Sequence, residues 1–242
     1  MSDIVMSTIA IIPARGGSKR IPRKNVKPFC GQPMLAWPIA AARASGVFDA
    51  ILISTDDDEV AAVAERHGAE APFRRPAELA DDRTPTQPVI AHALRWFTEH
   101  RGPVEFVCCI YATAPFLQAR YLREGLELLR THPDADFTFA VTSYAYPIFR
   151  SLKRNPDRTV AMFWPEHEMT RSQDLPEAWH DAGQFYWGRG GSFLKHPGVF
   201  SARSYPVTLP RHLVQDIDTP EDWQMAERLF DAARQANPGE HA

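Results

Sequence analysis

Residues 9–25, IAIIPARGGSKRIPRKN, join a buried-strand pattern to a glycine-rich basic loop. Their first four residues are all apolar, which is typical of a strand buried on both faces in a parallel sheet. A loop with two adjacent glycines follows the strand, and it is crowded with cationic side chains. These are Arg15, Lys19, Arg20, Arg23 and Lys24. A buried strand that ends in such a loop predicts an anion-binding site at the end of the first strand.

The glycine pair indicates that the anion is a polyphosphate. Glycine lets the backbone approach a bulky anion, and the successive amides of Gly16, Gly17 and Ser18 would form a concave anion site. Arginine offers phosphate oxygens a planar fork, and lysine offers a point charge. The spacing matches neither the phosphate loop of nucleotide hydrolases nor the dinucleotide fingerprint. We therefore predict a nucleoside triphosphate site, with a solvated basic loop or a nucleic-acid patch as the alternative.

The composition is that of one ordinary globular domain. The chain has 242 residues, 44% of them hydrophobic, and a net charge of −3, so its surface as a whole is not built for nucleic acid. Its three cysteines show neither paired nor metal-binding spacing, which fits a reducing cytoplasm. No apolar run approaches the length of a membrane span. We expect a single cytoplasmic domain over residues 7–236 without a membrane partner.

Strand and helix patterns alternate along the chain. Strands are predicted at residues 8–13, 50–54, 106–111 and 137–141, and helices at residues 33–45, 59–67, 84–100, 119–130 and 220–230. This alternation predicts an α/β protein with a doubly wound, mostly parallel sheet. Ligands bind at the carboxyl ends of the strands in such sheets. The loops after Ile12, Ser54 and Tyr111 should therefore line one cleft.

The alternation stops between residues 143 and 187. Prolines, aromatic residues and charged residues are mixed there in a way that is too structured for a linker. We predict that residues 143–187 form an insertion, either over the cleft or as an arm between two subunits.

Two carboxylates stand two residues apart near the end of the chain, at Asp216 and Asp218. On an extended segment both would point to one face. Two carboxylates on one face suit a hard divalent cation that bridges substrate phosphates, as Mg²⁺ does. The alternative is that Asp218 only helps to cap the helix that begins at Pro220, with Thr219 as its cap.

Three stretches together resemble the CMP-sugar synthetases, a family that activates acidic sugars. They are IIPARGGSKRIPRKN at residues 11–25, RRPAELA at residues 74–80 and DIDTPED at residues 216–222. The resemblance covers residues 7–230. It implies a Rossmann-like nucleotide-diphospho-sugar transferase fold, Mg²⁺ as cofactor and a homodimer.

Two further strings point to one branch of that family. YATAPF at residues 111–116 stands where enzymes for sialic acid usually have Gln-Pro-Thr-Ser-Pro, so Tyr111 replaces the glutamine that reads the cytosine. Together with TRSQDLPEAWHDAGQFYWG at residues 170–188, this string resembles the pseudaminic acid cytidylyltransferases. The branch implies transfer of CMP from CTP to the anomeric hydroxyl of a nine-carbon acidic sugar, with release of diphosphate.

The resemblance also implies a role for each matching residue. Arg15 and Lys24 would hold the triphosphate, and Lys24 would neutralise charge near the α-phosphoryl group in the transition state. Asn25 and Arg75 would complete the nucleotide site, with Thr113 near the base. Arg75 has an alternative as a surface residue paired with Glu78. Asp216 and Asp218 would hold Mg²⁺, and Asp216 is also a candidate acceptor of the sugar's proton.

The acceptor sugar needs a cation for its carboxylate, and Arg171 in the branch-specific stretch is the candidate. Gln184 and Tyr186 are candidates for contacts with acetamido groups. Three alternatives stay open at this point. The acceptor is sialic acid, legionaminic acid or the eight-carbon acid KDO; the enzyme acts on a sugar 1-phosphate; or the chain is a nucleotide-binding regulator without catalysis.

Overall fold

The computed structural model describes residues 6–195 and 198–236, which form ten strands and six helices. The strands are β1 (Ser7–Pro13), β2 (Pro28–Phe29), β3 (Gln32–Pro33), β4 (Ala50–Ser54), β5 (Val104–Ile110), β6 (Phe137–Ser143), β7 (Leu152–Arg154), β8 (Val160–Met162), β9 (Trp179–Arg189) and β10 (Ser204–Thr208). The helices are α1 (Ala36–Ser45), α2 (Asp58–Arg66), α3 (Thr86–Arg101), α4 (Ala119–Thr131), α5 (Gly190–Lys195) and α6 (Pro220–Ala236).

Six of the strands form one sheet in the order β10-β6-β9-β5-β1-β4. Neighbours in this sheet are parallel except at β9, which runs antiparallel to both β5 and β6. The predicted doubly wound, mostly parallel sheet is therefore confirmed. Strand β9 was not predicted from the alternation of strands and helices, yet it lies between β5 and β6 in the middle of the sheet.

The sheet divides the core into two layers, and β1 shows why. Its alternate residues point to opposite faces, with Ala10 and Ile12 in one layer and Ile9 and Ile11 in the other. Helices α1, α2, α4 and α6 cover the first face, and α3 and α5 cover the second. Since β1 is buried on both sides, the loop that follows Pro13 is fixed at the carboxyl edge of the sheet.

Local capping residues set the helices that border this edge. The Asp57 side chain accepts a hydrogen bond from the Val60 amide at 2.9 Å and so caps α2. At α6 the Asp222 amide donates to Thr219 Oγ1 at 3.2 Å, while the Thr219 amide donates to Asp222 Oδ2 at 2.7 Å. The predicted cap at Thr219 is confirmed. Residues 214–218, which precede it, form an irregular segment and not a strand.

The stretch predicted as an insertion, residues 143–187, is divided by the structure. Residues 179–187 belong to β9 in the main sheet, where apolar side chains such as Phe185 and Trp187 are buried. Residues 144–178 lie outside that sheet and carry the antiparallel hairpin β7–β8; we call them the arm. Among the described residues, no helix is both long enough and apolar enough to cross a membrane.

Candidate active site

The loop after β1 opens onto a cavity of about 540 Å³ at the carboxyl edge of the sheet, which we call the cationic cavity. Five cationic residues line it. They are Arg15, Lys19, Arg20, Lys24 and Arg75. Ser18, Asn25 and Thr113 also line it, so eight residues of the loop and of its predicted neighbours meet in one place, together with Asp218. Such a density of positive charge is what a triphosphate requires.

The backbone of the glycine pair is shaped by two aspartates that precede α2. The Gly16 amide donates to Asp56 Oδ1 at 3.0 Å, and the Ser18 amide donates to the Gly16 carbonyl at 3.1 Å. A Cβ on Gly16 would lie 2.5 Å from Asp57 Oδ2, which is why only glycine fits. Of the three predicted phosphate donors, only the Gly17 amide makes no hydrogen bond to any other described residue.

Two of the cations are held by one aspartate. Arg15 and Lys19 both form ion pairs with Asp82, which stands on the segment between α2 and α3. These pairs lower the pKa of Asp82 below its usual range, with Lys19 as the largest cause. The carboxylate therefore stays ionised and lies where an anionic ligand would meet the same cations.

A second aspartate, Asp218, faces the other cations. Arg20 Nη2 lies 2.9 Å and Lys24 Nζ 3.4 Å from Asp218 Oδ1. The Lys24 side chain is only 14% exposed, so it reaches the cavity from within the protein. Asp216, two residues earlier, has a pKa raised by burial and then by the charge of Asp218.

Asn25 and Arg23 give the loop its shape. Asn25 Nδ2 donates to the Arg15 carbonyl at 2.9 Å, and so it holds the two ends of the loop together. Arg23 does not line the cavity. Its Nη1 and Nη2 donate hydrogen bonds of 2.5 and 3.0 Å to the Asp57 carboxylate. This pair lowers the pKa of Asp57 to about 2. Because Asp57 also caps α2, the loop and that helix form one unit.

Arg75 is a buried cation in the wall of the cavity. Its side chain is only 7% exposed and donates to the Ser54 carbonyl and, at 3.2 Å, to Ser54 Oγ. Burial lowers its pKa to about 10. The alternative of a surface residue paired with Glu78 is therefore wrong, because Arg75 lies beneath the surface at the end of β4.

A second cavity of about 400 Å³ adjoins the first, and we call it the acceptor cavity. Thr113 lines both, at the carboxyl end of β5. Asp216 and Tyr186 line the second cavity, whereas Asp218 lines the first. The two aspartates thus stand at the junction between the cavities, which is the position expected of groups that serve a reaction between two ligands.

Comparison with known proteins agrees with this arrangement. A family model described as Cytidylyltransferase matches residues 9–237. A pseudaminic acid cytidylyltransferase of Campylobacter jejuni is 42% identical over 225 residues, which cover 93% of this chain and 97% of the relative. The chain belongs to the cytidylyltransferase family. The resemblance inferred from the three sequence stretches is confirmed.

Other members of this family extend the comparison. A protein of Helicobacter pylori named pseudaminic acid cytidylyltransferase and UDP-2,4-diacetamido-2,4,6-trideoxy-beta-L-altropyranose hydrolase is 35% identical over 88% of this chain and 40% of its own length. A CMP-N,N'-diacetyllegionaminic acid synthase of Legionella pneumophila is 26% identical over 96% of this chain and 99% of its own. The solved structure of a CMP:2-keto-3-deoxy-manno-octonic acid synthetase complexed with CTP has a TM-score of 0.68 and 16% identity, covering 94% of this chain and 99% of that one. It shares the fold.

Two of the predicted acceptor residues lie outside both cavities of this cytidylyltransferase. Arg171 is in the arm, with its side chain 72% exposed and its Nε 2.7 Å from Asp174 Oδ2. Gln184 is buried, and its Nε2 donates to the Leu213 carbonyl at 2.5 Å. Gln184 therefore connects β9 to the turn at Leu213 and helps to position the residues that lead to Asp216. Of the three, only Tyr186 lines the acceptor cavity.

Sequence reasoning missed several residues that line the two cavities. Asp82 and Thr86 line the cationic cavity and follow the RRPAELA stretch within six residues. Their closeness to that motif is the signal in the sequence that could have identified them. Asp181 lies in the branch-specific stretch and lines the acceptor cavity, but its alignment with Tyr186 depends on a strand irregularity that no local pattern indicates.

Proposed function

We propose that this cytidylyltransferase transfers CMP from CTP to pseudaminic acid and releases diphosphate. The observation that carries the proposal is the junction of the cationic cavity with the acceptor cavity at Thr113. A relative named for pseudaminic acid that is 42% identical along nearly the whole chain supports the choice of acceptor. Nucleotide and sugar would meet where the two cavities join.

The cations would bind the triphosphate by charge and shape. Arg15 would give phosphate oxygens its planar fork once the nucleotide displaces Asp82, and Gly17 would donate its backbone amide. Arg75, held by Ser54 in the wall of the cavity, contributes a fixed charge that needs no reorganisation when the nucleotide binds. Thr113 would stand beside the base or the sugar.

The chemical step needs positioning and charge neutralisation more than covalent catalysis. The anomeric hydroxyl would attack the α-phosphorus in line, and diphosphate would leave. Lys24, little exposed and fixed beside Asp218, would neutralise the charge that develops at the α-phosphoryl group. Asp216 lines the acceptor cavity and is the candidate acceptor of the hydroxyl proton.

Asp216 and Asp218 are the residues that would hold Mg²⁺. Their carboxylates are hard oxygen ligands, and no cluster of three or more metal-binding side chains occurs within residues 6–195 and 198–236. A set of two carboxylates fits an ion that takes its other ligands from phosphates and water. When bound, the ion would neutralise and orient phosphate oxygens.

The arm is the candidate surface for a homodimer. It exposes large apolar side chains that a monomer has no use for in water. They are Tyr144, Tyr146, Leu152, Val160, Phe163, Trp164 and Met169. A second copy of the chain would cover them.

The three cysteines are free thiols, which supports a reducing, cytoplasmic setting for the reaction.

The test is release of diphosphate from CTP and Mg²⁺ with a panel of acceptors offered separately: pseudaminic, legionaminic and sialic acids, KDO and a sugar 1-phosphate. We expect turnover with pseudaminic acid at the highest kcat/KM. Preference for another acidic sugar would keep the chemistry and overturn the choice of acceptor. Turnover only with the sugar 1-phosphate, or CTP binding without turnover, would overturn the proposal itself.

A further inference from the structure

One side of the acceptor cavity is built by β9. Asp181 and Tyr186 both line it, together with Tyr111 at the end of β5. In a regular strand, residues five apart point to opposite faces. These two nevertheless meet, with Tyr186 Oη donating to Asp181 Oδ2 at 2.6 Å.

An irregularity in β9 makes this contact possible. Tyr186 pairs with Phe139 on β6, and Asp181 pairs with Val141, so residues 182–185 of β9 stand opposite a single residue of β6. The three extra residues in β9 put Asp181 and Tyr186 on the same face of the sheet. Gly183 lies inside the irregularity with φ at 62°, a value that favours glycine. Such bulges typically re-aim a side chain beside an active site.

The Asp181 carboxylate is fixed from two sides and keeps free acceptor capacity. Oδ1 accepts from the Gly183 amide at 2.8 Å, and Oδ2 accepts from Tyr186. An ionised carboxylate has about four lone-pair sites, so two remain. Tyr186 gives its only proton to Asp181, and its oxygen can then only accept.

The phenols of Tyr186 and Tyr111 are neutral, and Tyr111 contacts a residue of the cationic cavity. Burial raises the pKa of Tyr186 and also that of Tyr111. The two rings lie 5.2 Å apart, and Tyr111 Oη is 3.5 Å from Thr86 Oγ1, a residue that also lines the cationic cavity. Two other ionisable groups stand in the cavity wall: His180, whose Nδ1 lies 2.9 Å from the Asp181 carbonyl oxygen, and Asp216.

We infer that Asp181 and Tyr186 form a subsite that binds the N–H groups of an acylamido substituent on the acceptor sugar. This inference rests on the proposed function, because it names what part of the acceptor occupies which end of the cavity. A carboxylate with only acceptor capacity attracts N–H donors and repels an anion. The acceptor's own carboxylate would therefore lie away from Asp181.

The test is Asp181→Asn, which keeps the size of the side chain and the oxygen that accepts from Gly183 but turns the other acceptor into a donor. With pseudaminic acid the acceptor KM should rise at least about tenfold, because two N–H groups would face one another. The KM of CTP should not change. Glu177→Gln, the same chemical change on the exposed arm, is the matched control and should leave both KM values as they are.

Comparison of two acceptors separates this role from a structural one. In the wild type, pseudaminic acid should be preferred over KDO, which carries no acylamido group, and Asp181→Asn should reduce the ratio of their kcat/KM values about tenfold or more. An unchanged ratio, with both acceptors impaired alike, would make Asp181 a support of the bulge and overturn the inference. Tyr186→Phe, which removes only the hydroxyl, should reduce the ratio in the same direction and serves if the first variant is unstable.

The same assays keep the two proposals apart. A wild type that turns over pseudaminic acid, with a ratio insensitive to Asp181→Asn, would leave the proposed function standing and remove the subsite. A wild type that prefers KDO would overturn both.

Discussion

Lys24 and Asp218 are 194 residues apart in the chain, yet Lys24 Nζ lies 3.4 Å from Asp218 Oδ1. The lysine belongs to the loop after β1 and the aspartate to the irregular segment before α6. Their meeting joins the two motifs that the sequence showed separately, the cationic glycine loop and the aspartate pair. The lysine is thereby held at the edge of the cationic cavity before any nucleotide arrives.

Replacement of Lys24 by alanine should reduce kcat much more than it raises the KM of CTP. A charge used mainly in the transition state contributes about 100- to 1000-fold to kcat in comparable sites. Steady-state kinetics with CTP and acceptor varied in turn measure both parameters. Lys27→Ala is the control, because Lys27 Nζ lies 4.4 Å above the Trp223 ring and lines neither cavity. Equal losses of kcat in the two variants would remove Lys24 from the chemical step.

Replacement of Asp218 by asparagine should raise the concentration of Mg²⁺ needed for half-maximal activity by about tenfold or more, since a metal ligand loses its charge. The measurement is a Mg²⁺ titration at saturating CTP and acceptor. Glu221→Gln, which removes one carboxylate charge from the exposed first turn of α6, is the control, and its Mg²⁺ requirement should stay unchanged. A Mg²⁺ titration curve for Asp218→Asn that overlays the wild type would count against the metal site.

Replacement of Asp82 by alanine should lower the Kd of CTP by a small factor, about threefold, which is the range of an exposed ion pair. The nucleotide no longer competes with the carboxylate for Arg15 and Lys19. Calorimetric titration of CTP at low salt measures the change. Asp81→Ala should act in the opposite direction, because Asp81 Oδ1 holds the turn through the Arg83 and Thr84 amides at 2.9 and 2.6 Å. Weaker CTP binding in Asp82→Ala would show that Asp82 orders the cations for the nucleotide.

The Asp57 carboxylate should make stability depend on pH in the acid range. Its pKa is about 2 in the folded protein and 3.8 for an unperturbed aspartate, with the Arg23 hydrogen bonds as the largest cause. A depressed pKa contributes stability that is full above pH 3.8 and is lost as pH falls toward 2. Urea unfolding from pH 5 down to about pH 2 should therefore show a slope that Asp57→Asn reduces, while asparagine still caps α2. A slope identical in the variant would contradict the assignment.

Charges placed on the arm should separate the proposed homodimer into monomers. Phe163 and Met169 are 55% and 90% exposed in the single chain, and burial of such residues against a second copy would be disrupted by Phe163→Glu with Met169→Glu. Sedimentation velocity at several concentrations gives the mass. Met225→Glu, at a similarly exposed apolar position on α6, should leave the mass unchanged. A wild type that is monomeric at all concentrations would overturn the homodimer.

Local sequence patterns predicted the bounds of those strands and helices that depend on interactions between neighbouring residues. The strand at residues 50–54 was predicted with the bounds of β4, and the predicted helix at residues 59–67 differs from α2 by one residue at each end. The cap at Asp57 is equally local, because an aspartate cap acts within three residues. The strand β9 escaped prediction since it follows the arm without a helix, and its pairing with β5 and β6 is decided by distant residues.

The α/β class, the anion loop at residues 9–25 and, through motif resemblance, the family follow from local features of the sequence. Apolar periodicity, glycine conformation and charge are properties of neighbouring residues, so they can be recognised along the chain. Three contacts are visible only in the folded chain: Lys24 with Asp218, Arg75 with Ser54, and Asp181 with Tyr186. Those contacts depend on strand order and on the irregular register of β9, which arise from packing among residues far apart in the chain.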